Sequence, residues 1–367
     1  MSSFKQIKLH PVFLIIIALL LFAVGCEGPE GPAGPIGEAG LAGDTGAPGD
    51  SGATGETGAT GTLACLTCHS DENMTTIETS FALSGHAAGN YVGYAGGRGS
   101  CSRCHSSEGF ENFLQGGEGV DIASPSAWTC STCHSNHSSL EDDLTVPLVL
   151  NSAIASISLP GTTYDFENSS NLCGTCHQSR RGYDYYEAID SVWTDDVNGD
   201  DSLAFVVGDG EVYINSSHAG PHHGPQTNTL FGEGGYGTSS LATHSSQGCT
   251  SCHMGEADAT EGGHSFNPNI ANCNVEGCHT SETSFDINSK QTDFNTRMGV
   301  IAEALVTAGA LSGDAIDGYH PHVGIVTDAQ FKAFFNYMVL YEDHSHGVHN
   351  PGYFNTLLTV AETNLGL

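Results

Sequence analysis

Apolar residues follow a helical period most clearly near the C-terminus of the chain. One stripe has the spacing i, i+3, i+4, i+7 and i+8 of an amphipathic helix; it comprises Phe331, Phe334, Phe335, Met338 and Val339. Thr327 and Gln330 have the spacing of a capping box. Val326 and Phe331 occupy the positions of a hydrophobic staple. These patterns together predict a helix that begins directly after Thr327.

Two further helices are predicted in the C-terminal third. Residues 297–311 have helical character, and a last helix starts at Asn350 with Pro351 in its first turn. The clearest strand-like run is 144–159, which predicts a small hairpin. Because long periodic segments are few elsewhere, the predicted fold class is mainly α and irregular, with few short strands and C-terminal helices.

The first 25 residues have the pattern of an export signal. Lys5 and Lys8 precede an apolar run of 13 residues, 12–24, which is too short to cross a bilayer as a mature helix. The run ends in 21-LFAVGC-26, which resembles a bacterial lipobox that places a lipid on the Cys26 sulfur. By the same resemblance, Glu27 favours the outer membrane. The alternative is a secreted protein with a spare cysteine.

Glycine occupies every third position from Gly28 to Gly61, which makes 11 full triplets. This is the period of the collagen triple helix, because only glycine fits its axis. Prolines are few, however, and the charged residues of the segment are all acidic. Two interpretations of residues 26–62 therefore stay open: a lipid-anchored homotrimeric rod, and an extended monomeric tether. Either would lift residues 63–367 away from a membrane.

Composition makes an ordinary apolar core difficult to build. Of 367 residues, 38% are hydrophobic and 48 are glycine, a low apolar share for this length. The chain is either partly disordered or supplied with a core by something other than protein. A net charge of −33 argues against nucleic acid as a partner, since nothing could neutralise the phosphates.

From Cys65 onward, the cysteines come in pairs that are each closed by a histidine. C-x-x-C-H is the attachment signature of a c-type haem, with two thioethers and a proximal histidine on the iron. In a helical turn, residues i and i+3 share a face and i+4 follows beside them, so the two cysteines can hold the ring edge while the histidine lies under the iron. A disulfide framework or zinc site would not repeat the adjacent histidine. The five segments are 65-CLTCH-69, 101-CSRCH-105, 130-CSTCH-134, 173-CGTCH-177 and 249-CTSCH-253.

Two cysteines remain once Cys26 and the five pairs are assigned. They lie in 273-CNVEGCH-279, and multihaem cytochromes use C-x4-C-H as a variant attachment site. Six haem c groups are therefore predicted, with a local disulfide in 273–279 as the alternative. The predicted thioether cysteines are Cys65, Cys68, Cys101, Cys104, Cys130, Cys133, Cys173, Cys176, Cys249, Cys252, Cys273 and Cys278. The predicted proximal histidines are His69, His105, His134, His177, His253 and His279.

The ligand opposite each proximal histidine decides the function. A protein ligand on both sides makes an electron carrier, whereas an open side makes a catalyst or gas binder. Of 19 histidines, six are proximal and His10 lies in the signal segment, which leaves 12 for six distal positions. Methionine is scarce, and Met298 and Met338 have the pattern of helix core. Histidine on both sides is therefore the expected ligation.

Local motifs give the chain a resemblance to exported multihaem c-type cytochromes, over about residues 63–362. The motifs are 84-SGHA-87, 133-CHSNH-137, 221-PHHGPQ-226, 262-GGHSF-266 and 345-SHGVHNPGYFNTLL-358, with one further histidine just before Cys249. The resemblance implies a haem-packed fold and six distal histidines. These are His86, His137, His222, His244, His264 and His349. The remaining histidines are expected at the surface or as replacements: His218, His223, His320, His322, His344 and His346.

The segment 196-DVNGDD-201 resembles the start of a calcium loop, with Asp196, Asn198 and Asp200 at alternate positions. The glycine and glutamate expected later in such a loop are absent. An acidic turn is therefore the favoured interpretation.

Three functions are compatible with the sequence. The favoured one is a lipid-anchored electron carrier at the outer membrane, on its periplasmic side or at the cell surface, which exchanges electrons with redox proteins or external acceptors and is not an enzyme. The second is a reductase of a small nitrogen or sulfur oxyanion at one open haem, although few basic residues are present to stabilise an anion. The third is a trimeric or filamentous appendage.

Overall fold

The computed structural model describes residues 65–138, 145–195, 201–237, 243–258 and 260–367, all within the unit Thr60–Leu367. Short helices alternate with irregular segments, and the strands of the described residues form two-stranded sheets. The predicted fold class is therefore confirmed. The signal segment, Cys26, the glycine repeat and residues 196–200 of the suggested calcium loop lie outside the described residues.

The first part of the unit, 65–138, is built from short helices. Serine side chains begin three of them: Ser70 accepts from the backbone N–H of Asn73, Ser84 from that of Ala87, and Ser106 from that of Gly109. The elements are α1 (Leu66–His69), α2 (Asp71–Phe81), α3 (Gly85–Ala88), a π-helical turn (Val92–Gly96), α4 (Gly99–His105), α5 (Ser107–Leu114) and α6 (Cys130–Cys133).

The middle part mixes hairpins with helical turns. Strands β1 and β2 pair antiparallel, as do β3 and β4. The elements are β1 (Ile154–Ala155), β2 (Thr163–Tyr164), α7 (Ser170–Gly174), α8 (Asp184–Glu187), β3 (Ser191–Asp195), β4 (Asp201–Val206), β5 (Glu211–Ile214), α9 (Gln226–Leu230), α10 (Thr250–His253) and 3-10 turns at Thr243–Ser246, Gly263–Ser265, Ile270–Cys273 and Ile287–Ser289.

The C-terminal part holds the longest helices. Its elements are α11 (Lys290–Thr307), β6 (Leu311–Asp314), β7 (Gly318–Pro321), β8 (Gly324–Thr327), α12 (Asp328–Asp343) and α13 (Pro351–Leu365). Strand β8 pairs antiparallel with β5 and leads directly into α12. Within the described residues, no helix combines the length and apolar character that crossing a bilayer requires.

The main apolar core lies among α11, α12 and α13. All five residues of the predicted stripe on α12 are buried there, together with Met298 of α11 and Leu357 of α13. Each fully buried Leu, Met or Phe contributes about 1.5–3 kcal/mol. The predicted capping box is present, since Thr327 Oγ1 accepts from the Gln330 N–H and Gln330 Oε1 accepts from the Thr327 N–H. This part of the chain is therefore held together by ordinary packing.

Two secondary-structure predictions require correction, and a third is confirmed. Helix α11 ends at Thr307 and begins seven residues before position 297, because its first turn is polar and Phe294 is the single apolar residue before Met298. The hairpin predicted within 144–159 is wrong: Ile154–Ala155 pairs outside that run with Thr163–Tyr164, and residues 147–149 bond to 133–135 through a bridge between His134 and Leu148. The start of α13 is confirmed, since Asn350 accepts from the Tyr353 N–H.

Candidate functional site

Each cysteine–histidine motif occupies a single turn of backbone. Helix α4 contains its whole motif, and α1, α6 and α10 span most of theirs. In three motifs the histidine N–H donates to the carbonyl of the first cysteine, at 2.9 Å for His134 and for His253 and 3.0 Å for His177. The turn therefore brings both sulfurs and the imidazole together. None of the twelve described cysteines forms a disulfide with another.

The longer motif 273–279 closes in the same way. The His279 N–H donates to the Cys273 carbonyl at 3.1 Å, although two more residues separate them than in the other motifs. Gly277, with φ of 88°, lies within the added turn, in a backbone conformation that glycine adopts without strain. The insertion therefore leaves the first cysteine and the histidine in the relation seen in the shorter motifs.

The polypeptide around the first motifs buries little apolar surface of its own. Within 65–138, only Ala95 and Phe110 are buried hydrophobic residues. Helices α1, α2 and α10 bury no residue at all, and Leu66 and Tyr91 are more than half exposed. A segment this poor in core requires another apolar group for stability. Haem macrocycles fit this requirement.

Four of the predicted proximal histidines face a predicted distal histidine. The ring centroids are 6.1 Å apart for His177 and His86, 6.1 Å for His134 and His264, 6.2 Å for His69 and His137, and 6.4 Å for His253 and His349. A metal–imidazole bond of about 2 Å, with ~1 Å from nitrogen to ring centre, places two opposed imidazole centroids about 6 Å apart. The spacing of all four pairs therefore fits one iron between two rings.

The second ring nitrogen of several candidate ligands is hydrogen-bonded to the protein. Nδ1 of His134 lies 3.2 Å from the Pro147 carbonyl, that of His253 lies 2.8 Å from the Phe266 carbonyl, and that of His244 lies 2.7 Å from the Val348 carbonyl. Such bonds fix the tautomer and leave Nε2 free for a metal.

His86 shows how the fold prepares a candidate ligand. Its ring stacks on Trp128 with centroids 4.8 Å apart and meets the edge of Phe266 at 4.9 Å. Burial, followed by the nearby His177, lowers the pKa of His86 to about 4. The imidazole is therefore neutral at pH 7, which is the form that binds a metal.

The motif at 101–105 differs from these four. His105 lies close enough to His222 to contribute to the lowering of the His222 pKa. Nε2 of His222, however, accepts a hydrogen bond from Arg180 Nη1 at 3.1 Å. Burial, followed by Arg180, lowers the pKa of His222 to about 4. His222 also has a positive φ of 71°, which is uncommon for a residue other than glycine. The nitrogen expected to bind iron is thus held by a guanidinium.

The histidines with no predicted role differ in exposure from the candidate ligands. The predicted distal set is partly buried throughout: His86, His137, His222, His244, His264 and His349. The remaining set is exposed throughout: His218, His223, His320, His322, His344 and His346. The second set therefore lies at the surface of the described chain, and whether any of its members replaces a distal ligand stays a prediction. For His244 and His279, the structure gives no facing ring among the described contacts.

Sequence reasoning missed three residues of the candidate sites. Asp343, Trp128 and Arg180 contact His349, His86 and His222, respectively. Trp128 and Arg180 each lie 42 residues from the histidine that they contact, so local spacing carried no signal for them. Asp343 lies only six residues before His349, but the irregular turn between them follows no helical or strand period. The positive φ of His222, which would mark the site as unusual, is also visible only in three dimensions.

Neighbouring motifs meet through their cysteines. Cys104 and Cys176 lie close enough to shift each other's pKa, and so do Cys173 and Cys249. Sγ of Cys176 also lies 3.8 Å from the Arg103 carbonyl. Ser170 Oγ accepts from the Cys249 N–H at 2.8 Å, which holds the fourth and fifth motifs together. The motif at 173–177 therefore lies between those at 101–105 and 249–253.

No protein-family model matches the chain. The chain is 25% identical over 201 residues, or 47% of its length, to the C-type polyheme cytochrome OmcB of Geobacter sulfurreducens, in strains DL-1 / KN400 and PCA. The aligned region is 26% of that protein, so the chain spans about a quarter of the length of these curated relatives. These sequence relatives are multihaem c-type cytochromes, which is the class expected from the motifs.

Two solved structures also resemble the chain. The outer cell wall cytochrome OcwA aligns with a TM-score of 0.48 at 19% identity, over 78% of this chain and 49% of its own. The undecaheme cytochrome from the S-layer of Carboxydothermus ferrireducens aligns with a TM-score of 0.45 at 18% identity, over 77% of this chain and 40% of its own.

Proposed function

We propose that this protein is an electron carrier that holds six c-type haems and is not itself an enzyme. The observation that carries the proposal is the set of four histidine pairs at 6.1–6.4 Å, each with one member in a C-x-x-C-H turn. With an imidazole on both faces, an iron has no position open to a substrate. Bound haem would supply a one-electron iron couple at each site.

The arrangement of motifs supports transfer between sites. Cys176 Sγ of the motif at 173–177 lies 3.8 Å from the Arg103 carbonyl of the motif at 101–105, and the Cys249 N–H donates to Ser170, just before Cys173. Burial, followed by the nearby Cys273 and Cys278, raises the pKa of Cys252, so the motif at 273–279 lies close to that at 249–253. Because electron tunnelling falls steeply with distance, contact between attachment points favours rapid exchange. We infer a route whose central member is held at 173–177.

The two remaining sites complete the proposed ligand set. His222 is proposed as the distal ligand opposite His105, after Arg180 turns away, and His244 as the distal ligand opposite His279. The Nδ1 bond of His244 to the Val348 carbonyl supports its role, since it leaves Nε2 for iron.

We place this carrier outside the cytoplasm, attached through lipid on Cys26 to the outer membrane. The glycine repeat would space the haem-bearing part from the membrane, as a trimeric rod or as a single tether. Other redox proteins or external acceptors are the proposed partners. Size measurement of the detergent-solubilised protein separates a trimer from a monomer.

A second candidate function follows from the contact between Arg180 and His222. If Arg180 keeps His222 from the iron at 101–105, that site is open and a guanidinium lies beside it. An open iron with a nearby cation suits a reductase of a small oxyanion. The cavity of about 200 Å³ lined by Cys101, Cys104, His105 and Arg180 supports this alternative.

Two measurements on the purified haem-loaded chain test the proposal. Intact mass should show one haem for each of the six motifs. Low-temperature EPR of the oxidised protein should show only low-spin iron. A high-spin signal of one haem equivalent that persists in the His222→Ala variant would favour the reductase, and fewer than six haems would contradict the haem count.

A further inference from the structure

His349 is the one candidate ligand in the described part of the chain whose Nδ1 contacts a carboxylate, that of Asp343. Nδ1 of His349 lies 2.9 Å from both Oδ1 and Oδ2 of Asp343. The same ring faces His253 at 6.4 Å between centroids. His349 can therefore bind iron through Nε2 while Nδ1–H donates to a carboxylate.

The Asp343 carboxylate is buried and firmly held. Its side chain is 0% exposed. The Thr229 hydroxyl donates to Oδ2 at 2.5 Å, and the Ser345 N–H donates to Oδ1 at 3.1 Å. Both oxygens of the Asp343 side chain thus act as hydrogen-bond acceptors, from His349, Thr229 and Ser345. This is the arrangement that a carboxylate anion makes.

Other candidate ligands have neutral partners on Nδ1. Backbone carbonyls accept from His134, His244 and His253, and the Gln226 side-chain oxygen lies 3.4 Å from Nδ1 of His177. A carboxylate withdraws the imidazole proton further than a carbonyl does and makes the ring a more basic ligand. A buried negative charge close to iron also favours Fe(III) over Fe(II).

We propose that Asp343 is a positioning residue that lowers the reduction potential of the haem attached at 249–253, by acting through His349. The proposal rests on the proposed function, because it requires haem at this motif. It makes this site harder to reduce than sites whose ligands have neutral partners. Since the motif at 249–253 contacts that at 173–177, the lowered potential would affect electron transfer along the proposed route.

The test is potentiometric titration of the full haem-loaded chain with the Asp343→Asn variant. Asparagine keeps the shape and can still accept from His349 through its side-chain oxygen, but it has no charge. We expect one haem transition to move to higher potential while the others stay in place and all iron stays low-spin. The Thr229→Val variant keeps the carboxylate but removes one of its donors, which leaves it a stronger acceptor for His349. It should move the same transition by a smaller amount, to lower potential.

Glu362→Gln is the matched control. Glu362 belongs to the same group of C-terminal helices and binds Arg297 through both carboxylate oxygens, at 2.6 and 2.7 Å, but it touches no candidate ligand among the described residues. Its loss should leave every potential unchanged. An equal shift of potential in this control would show that the effect comes from weaker packing of the C-terminal helices, and it would overturn the proposal.

Two further outcomes would overturn it. Unchanged potentials in a low-spin Asp343→Asn protein would show that the carboxylate does not tune the iron. A new high-spin signal in that variant would show that Asp343 only holds the ring in place. Failure of the proposed function is seen separately, in the wild-type chain, as absence of haem mass on the peptide carrying Cys249 and Cys252.

Discussion

Substitution of Gly109 by alanine tests the packing beneath the second motif. Gly109 lies in α5, and a Cβ at this position would meet the backbone C and O of Ser102 at 2.3 Å and its Cβ at 2.6 Å. Ser102 lies between the cysteines of the motif 101–105, in α4. Contacts of 3.4 Å or more are ordinary, so α4 and α5 would have to separate by about 1 Å.

The expected magnitude follows from two opposing effects. Overpacking of this kind costs about 1–3 kcal/mol, and alanine returns about 1 kcal/mol through its better helix propensity. Because the clash is with backbone, which cannot turn away as a side chain can, we expect a cost in the upper part of that range, about 2–3 kcal/mol, and thus a net loss of about 1–2 kcal/mol. Gly299→Ala is the matched control: no atom lies within 4 Å of its added Cβ in α11, so it should gain about 0.5–1 kcal/mol.

The stabilities of the two haem-loaded variants are compared by guanidinium unfolding, with far-UV circular dichroism as the signal. The unfolding midpoint should fall in Gly109→Ala and rise in Gly299→Ala. The EPR signal of one low-spin haem should also change in Gly109→Ala and not in Gly299→Ala. If Gly109→Ala is as stable as the control, α4 and α5 are not in the close contact described, and the reasoning fails.

Three more predictions follow from the same geometry. His264→Ala should convert one haem equivalent from low spin to high spin, measured by EPR spin quantitation, and His320→Ala should convert none. Leu305→Ala, in the core of α11, should lower the free energy of unfolding by about 2–5 kcal/mol, measured by denaturant titration. A chain with all twelve motif cysteines changed to serine should lose helical circular dichroism and protease resistance within 65–138 but keep the core of α11, α12 and α13; equal protection of both parts would contradict this.

The sequence was sufficient where chemistry or packing is local. The turn at each C-x-x-C-H motif follows from adjacent residues, and the stripe on α12 follows from helical period and the capping box at Thr327. Prediction failed at 144–159, where residues 147–149 bond to 133–135 instead of to the end of the run, and at the start of α11, whose first turn is polar. Those boundaries depend on contacts with distant residues, which periodicity does not encode.

Pairing of the histidines is the part that local spacing could not supply. His137 lies three residues after His134, yet the two belong to different pairs: His137 faces His69 and His134 faces His264. A short loop cannot place both rings on opposite sides of one iron, since their backbones diverge after α6 and Ser135 pairs with the segment at 147–148. Each pair therefore joins distant parts of the chain. Coordination by such crossed pairs would tie together helices that bury almost nothing themselves, which explains how a chain with so few apolar residues can hold a defined fold.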